Sequence, residues 1–202
     1  MKKLFKRKLF IGILVGFAFS LALIFYFSFR SLVEISLASF SEQGTANLPN
    51  QANLLLPTRL KIPKIKADSL IESVGLTSLG AIDSPLGPKN AGWFNLGIIP
   101  GENGSAIIDG HSGWKNGIPA VFDSLYKLKK GDKIYVENGK GVTTTFIVRE
   151  IKNYDPNADA EDVFSSNDNK AHLNLITCGG TWDNTAKTHS KRLVVFTDKV
   201  IN

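Results

Sequence analysis

The chain has 202 residues, 43% of them hydrophobic and 21% charged, with 18 glycines and 8 prolines. That size fits one globular domain with a short appendage, and the composition excludes a disordered or collagen-like chain. The formal net charge is +6, yet six of the 24 basic residues (Lys2, Lys3, Lys6, Arg7, Lys8 and Arg30) precede the first acidic residue, Glu34, so residues 31–202 carry 18 basic and 18 acidic groups. A binder of nucleic acid gathers Lys and Arg on its binding face to displace phosphate counterions, and a formally neutral main domain excludes that partner.

In chain order, residues 1–8 form a basic segment and residues 9–29 an uncharged run rich in Leu, Ile and Phe. At a rise of about 1.5 Å per residue this run is long enough to cross a bilayer core of about 30 Å, and it predicts a transmembrane helix. Five positive residues before it and only Arg30 just after it place the N-terminus in the cytoplasm and the remainder outside, a single-pass topology. A cleaved signal peptide would have a shorter apolar region, about 7 to 15 residues, closed by a small-x-small site. No Ala-x-Ala follows here, so a retained membrane anchor is the expectation.

Residues 30–57 lack sustained periodicity, turn rich in Ser, Asn and Gln and end at Pro57; they read as an extracellular stalk. The folded domain is expected over 58–202. Its signals are mostly short strands, over 59–62, 69–74, 105–109, 133–137, 142–151, 172–178 and 192–198. Many short strands without alternating helices predict an all-β barrel or sandwich. The clearest hairpin is 133–149, where Ile134 and Val136 alternate with polar residues, Asn138-Gly139 supplies a turn and Val142, Thr144, Phe146 and Val148 resume the period of two. One minor helix is expected after Pro119, with Val121, Phe122, Leu125 and Leu128 as its apolar stripe and Gly131 as its stop. Residues 152–171 are polar and predict a functional loop or a short helix within one.

A single cysteine, Cys178, excludes an internal disulfide, and a free thiol facing an oxidising exterior has to be either buried or used. Cys178 ends the apolar strand 172–178 and precedes Gly179-Gly180. The strand period sends it to the face opposite Leu173, Leu175 and Thr177, where a substrate has access. The plainer reading is a small core hydrophobe. A nucleophilic thiol needs a base that also returns a proton to a leaving amine, and histidine suits this near neutral pH. His111 lies in Asp109-Gly110-His111-Ser112-Gly113 just after a strand, where glycines admit an imidazole to a cleft. His172 is six residues before Cys178 in one extended strand, about 20 Å away, which excludes it. His189, in the loop after Cys178, is the runner-up. Arg192 opens the last strand; if 172–178 and 192–198 are neighbours joined by a 13-residue loop over 179–191, Cys178 and Arg192 meet at one end, where a guanidinium would stabilise an oxyanion or hold a carbonyl.

With these residues in view, the chain resembles the sortase family over about 58–200. The marks are Leu175-Ile176-Thr177-Cys178, similar to the family's Thr-Leu-x-Thr-Cys, Gly110-His111 upstream and Arg192 fourteen residues downstream. Ala91-Gly92-Trp93-Phe94, Pro100-Gly101-Glu102-Asn103-Gly104, Asp109-Gly110-His111-Ser112 and Thr177-Cys178-Gly179-Gly180-Thr181-Trp182-Asp183 are most similar to class F, with class E next. The chain departs from the family pattern at Asn174, before Leu175, and at His189 and Lys191.

The resemblance implies an eight-stranded β-barrel and a bacterial plasma-membrane cysteine transpeptidase. Cys178 would attack the Thr–Gly bond of a Leu-Pro-x-Thr-Gly-like sorting signal on a surface protein and hold the Thr as a thioester. His111 would exchange the proton, Arg192 would bond the substrate carbonyl or oxyanion, and Thr177 and Gly179 would line the substrate pocket. The acceptor would be an amine of a cell-wall precursor or a pilin. No cofactor is implied. Some relatives bind calcium on loop carboxylates, but Asp159, Glu161 and Asp162 show no ligand spacing and no metal is assigned. Two other readings compete. An L,D-transpeptidase-type enzyme would carry His-Gly just before the nucleophile, where this chain has Ile176-Thr177, and a non-catalytic membrane-tethered binding domain would keep Cys178 in its core.

Overall fold

The structure is a computed structural model that describes residues 53–185 and 188–201. The basic segment 1–8, the transmembrane helix expected over 9–29 and the stalk as far as residue 52 lie outside the described residues. No helix among the described residues is long and apolar enough to cross a membrane.

Eight strands carry the fold: β1 (Pro57–Ile62), β2 (Ala67–Val74), β3 (Ala91–Phe94), β4 (Gly104–Gly110), β5 (Lys133–Asn138), β6 (Thr143–Tyr154), β7 (Ala171–Asp183) and β8 (Thr188–Lys199). Around a closed barrel their order is β1, β2, β3, β4, β7, β8, β6, β5, with β5 pairing back onto β1. The pairs β2/β3 and β4/β7 are parallel. Closure leaves no free sheet edge to pair with another chain.

The period of two builds the interior. In β1, Leu60 and Ile62 are fully buried, whereas Arg59 points out to a two-pronged bond with Asp68 of β2. Ile134, Val136, Phe146 and Val148 do the same for the β5/β6 hairpin, whose turn is fixed by the Asn138 carboxamide oxygen accepting from the Lys140 and Val142 amides. The strands β4, β7 and β8 behave differently, because both of their faces are covered. Ala106, Ile108, Leu173, Leu175 and Val195 face the barrel core, while Ile107, Val194 and Phe196 alternate with them and pack outside with Val163 of the one-turn helix α1 (Glu161–Phe164). The Asn174 side chain ties α1 down by donating to the Val163 carbonyl at 2.6 Å. Covering on both faces produces the near-continuous apolar runs of these strands.

Three expectations need correction. β3 is a strand the sequence pattern did not single out; four residues with a glycine give too little periodicity. The helix expected after Pro119 is instead a series of turns ending in a 3₁₀ turn over Leu125–Lys127. Phe122, Leu125 and Leu128 are buried as the stripe required. The backbone closes tighter turns instead, Asp123 N–H to the Ala120 carbonyl, Leu125 N–H to Phe122 and Leu128 N–H to Leu125, while the first N–H groups are tied to the Asp123 carboxylate (Ala120), the Pro88 carbonyl (Val121) and the His111 carbonyl (Phe122). Finally, the loop expected over 179–191 is largely strand, since β7 continues to Asp183 and β8 begins at Thr188, with a bulge between Gly179 and Trp182.

Candidate active site

The parallel pairing of β4 and β7 sets Ile108 opposite Leu175 and Asp109 opposite Ile176. Two residues further along that register, His111 comes alongside Cys178. The register is pinned where it matters: the Thr177 hydroxyl donates to the Gly110 carbonyl at 2.6 Å, joining residues 67 apart in sequence. Gly110 has to lack a side chain, because a Cβ there would lie 2.6 to 2.8 Å from the side chains of Phe122 and Val121. On the other flank of β7, Arg192 of β8 is the ladder partner of Cys178, and residues directly opposite in an antiparallel pair share a face.

Cys178 is a half-buried free thiol on the face opposite Leu173 and Leu175. Two cavities open onto it. The larger, of about 610 Å³, is mainly apolar and is walled by His111, Trp114, Lys115, Trp182 and His189. The smaller, of about 280 Å³, is walled by Thr177, Gly179, Asn153, Tyr126 and again His189. Thr177 thus borders the smaller cavity while its hydroxyl is committed to Gly110.

The His111 ring is held on two sides. Its Nε2 lies 2.9 Å from the Pro85 carbonyl, and its ring sits 4.6 Å from that of Trp114. A carbonyl only accepts, so Nε2 carries the hydrogen in this bond and Nδ1 is the nitrogen left to take up a proton. Arg192 is folded against its own strand: Nη1 donates to the carbonyls of His189 (3.2 Å) and Lys191 (3.0 Å), and Nη2 to the Thr188 hydroxyl (3.4 Å). The guanidinium thereby braces the start of β8 beside Cys178.

His189 is also brought to Cys178. Its ring packs edge-on to Trp182 at 5.2 Å, and its buried Nδ1 has no partner among the described residues. His172 is at the far end of β7, its two ring nitrogens bonded by Asp198 (2.8 Å) and Asp168 (2.9 Å). Asp109 was not singled out for chemistry by the sequence. Burial pushes its carboxyl up to about 7, the Ser84 side chain working the other way. Its Oδ1 is buried without a partner among the described residues. Pro85, Trp114 and Trp182 were missed as well. Trp114, three residues after His111, and Trp182, four after Cys178, are the readable signals, since a Trp so near a reactive residue is placed to wall its groove. The acidic segment is otherwise engaged: Asp162 accepts from Tyr154 at 2.7 Å and from Lys152 at 3.2 Å, and Asp159 from the Glu161 amide. Among the described residues no group of three or more His, Cys, Asp or Glu side chains is placed to hold a metal.

A closed eight-stranded barrel that presents a thiol and an imidazole in one open cavity defines a narrow class of protein. The model of the sortase domain family matches residues 60–200. Among solved structures, the chain is similar to a lid mutant of sortase A from Corynebacterium diphtheriae (28% identity, TM-score 0.58, covering 73% of this chain and 71% of that one). It is similar to sortase C-1 from Actinomyces oris (26%, TM-score 0.57, 72% and 73%) and to sortase C2 of pilus island 1 from group B Streptococcus (27%, TM-score 0.55, 71% and 73%). No curated protein sequence matches. The chain belongs to the sortase family and is a cysteine transpeptidase of that fold.

Proposed function

We propose that this sortase is a class F-like enzyme held in a bacterial plasma membrane by residues 9–29, with its barrel outside the cell. It joins surface proteins carrying a Leu-Pro-x-Thr-Gly-like signal to an amine of a cell-wall precursor or a pilin. Cys178 is the nucleophile. Its sulfur adds to the Thr carbonyl of the signal, the Thr–Gly bond breaks, and a thioester to Cys178 remains. His111 passes the proton to the departing Gly amine and later takes one from the incoming amine that resolves the thioester. Arg192 hydrogen-bonds the oxygen that becomes negative in each addition, and Thr177 and Gly179 line the substrate pocket.

The observation that carries this reading is the register: one strand, β7, sets Cys178 between the end of β4, where His111 stands, and Arg192 on β8. The class F assignment rests on the stretches around Trp93, His111 and Cys178, and the choice between wall and pilin acceptors on the likeness to both a sortase A and a pilus-island sortase C.

The test is to incubate the full-length protein with a Leu-Pro-x-Thr-Gly peptide library and a panel of amines, then to weigh both protein and products. An acyl adduct on Cys178 and a Thr–amine product, both absent in Cys178→Ala, are expected. A Cys178 that resists native-state alkylation, with neither adduct nor cleavage, would overturn the reading.

A further inference from the structure

The proposed mechanism makes no use of Asp109, yet the position of this residue is unusual. It lies on β4, two residues before His111, which follows the strand's last residue, Gly110. Asp109 is half-buried, and its Oδ1 is itself buried and unpartnered among the described residues. Leaving a buried polar group without a partner is costly, so its retention calls for a structural reason.

That reason lies across the sheet. The ladders align Glu72 of β2, Gly92 of β3, Asp109 of β4 and Ile176 of β7 in one row. Gly92 supplies a gap in this row: a Cβ there would be 2.5 Å from Asp109 Oδ1 and 3.1 Å from Cδ of Pro85. The Asp109 carboxyl and the Pro85 ring therefore converge over the bare backbone of Gly92. The chain that holds Pro85 is fixed on its other side by Glu72, which accepts from the Leu86 amide at 3.0 Å and from the Asn90 carboxamide at 2.6 Å. Ser84, next to Pro85, lies near enough to Asp109 for its side chain to favour the ionised carboxylate, against the effect of burial. Segment 84–90 is thus clamped between two acids, and the Pro85 carbonyl is the group that holds His111 Nε2.

We propose that Asp109 is a positioning residue for His111: by seating Ser84 and Pro85 over Gly92 it fixes the carbonyl that holds Nε2, and so determines that Nδ1 exchanges protons in transpeptidation. This rests on the role given to His111 above. The groups around Asp109 are Asp83 and Ser84 from the segment between β2 and β3, Glu72 of β2 beyond Gly92, His111 just past the end of β4, and the apolar Ile176 of β7. Burial and, to a lesser degree, the charge of Asp83 oppose its ionisation. A neutral carboxyl matches an Asn in shape and in hydrogen bonding, which makes Asn the conservative variant.

The experiment compares wild type, Asp109→Ala, Asp109→Asn and His111→Gln as full-length proteins, by steady-state kinetics over pH 5–9 and by NMR of the imidazole N–H protons. The His111 signal is the one lost in His111→Gln. We expect Asp109→Ala to lower kcat about tenfold with KM within about twofold, and to lose the His111 Nε2–H signal. Asp109→Asn should restore both, and its rate should fall less than that of wild type as pH rises above 7. An Asp109→Ala protein that keeps the His111 signal overturns the positioning role, whatever its rate. Full turnover by His111→Gln overturns the role of His111 instead, and the signal in Asp109→Ala still reports separately on the clamp.

Discussion

At the residue scale, the three side chains of the proposed site are held by unequal means, and their variants should fail differently. Cys178→Ala removes the nucleophile, and turnover should vanish with the melting temperature unchanged, since a half-buried side chain loses only its sulfur. His111→Ala should cost roughly 10²–10⁴ in kcat, the span expected for general acid–base work. Arg192 both faces the Cys178 side of the ladder and braces the carbonyls of His189 and Lys191. Arg192→Lys keeps the charge but loses the planar fork that holds the two carbonyls with one nitrogen and the Thr188 hydroxyl with the other, so it should lose about 10²-fold in kcat and also loosen the start of β8. Amide exchange across 179–191 together with steady-state rates checks both halves. Unchanged exchange with a lost rate would assign Arg192 to the substrate alone, and wild-type rates would remove it from the chemistry.

At the element scale, β7 and its neighbours explain what was legible in the sequence. Cys178 was readable because period-two alternation is local: Leu173 and Leu175 fix one face and leave Cys178 on the other. Arg192 was readable because two strong strands close in sequence usually pair. The Pro85 carbonyl that holds His111 was not, since a backbone acceptor in an irregular segment leaves no mark in residue type. The helix after Pro119 failed for a related reason: its apolar stripe is real, but the segment is tied at its start to Pro88 and His111 and closes i→i−3 turns in place of α-helical ones. The same packing makes a prediction. Gly110→Ala drives a methyl into Phe122 and Val121 at the point where β4 delivers His111. It should destabilise the domain by about 1–3 kcal/mol and lower kcat more than it raises KM. Denaturant unfolding and kinetics on the same preparation test this, and a fully stable, fully active protein would show that the turn after β4 shifts freely.

At the scale of the whole molecule, acidic groups pull stability in opposite directions as pH changes. Asp68 beside Arg59, Glu72 beside Asn90 and Leu86, Asp162 beside Tyr154 and Asp168 beside His172 all have carboxyls lowered by their hydrogen-bond partners. A lowered carboxyl contributes stability that is fully present above its unfolded value, near 4, and is lost as pH falls through the folded one. Asp109 runs the other way. Its folded pKa is about 7 against an ordinary 3.8, so the native state holds a proton that the unfolded chain has released, and stability declines as pH rises from about 4 to about 7. The two effects oppose each other, the paired carboxylates favouring the fold above about pH 4 and Asp109 favouring it below about pH 7. Asp109→Asn cannot ionise, so it should abolish the decline toward neutrality and leave the acid limb in place. The gain above pH 7 should be on the order of 1–4 kcal/mol. Unfolding free energies of both proteins from pH 2 to 9 decide the matter: parallel curves would mean that Asp109 titrates in the fold as it does in the unfolded chain, and curves that diverge only above pH 4 would show its buried proton.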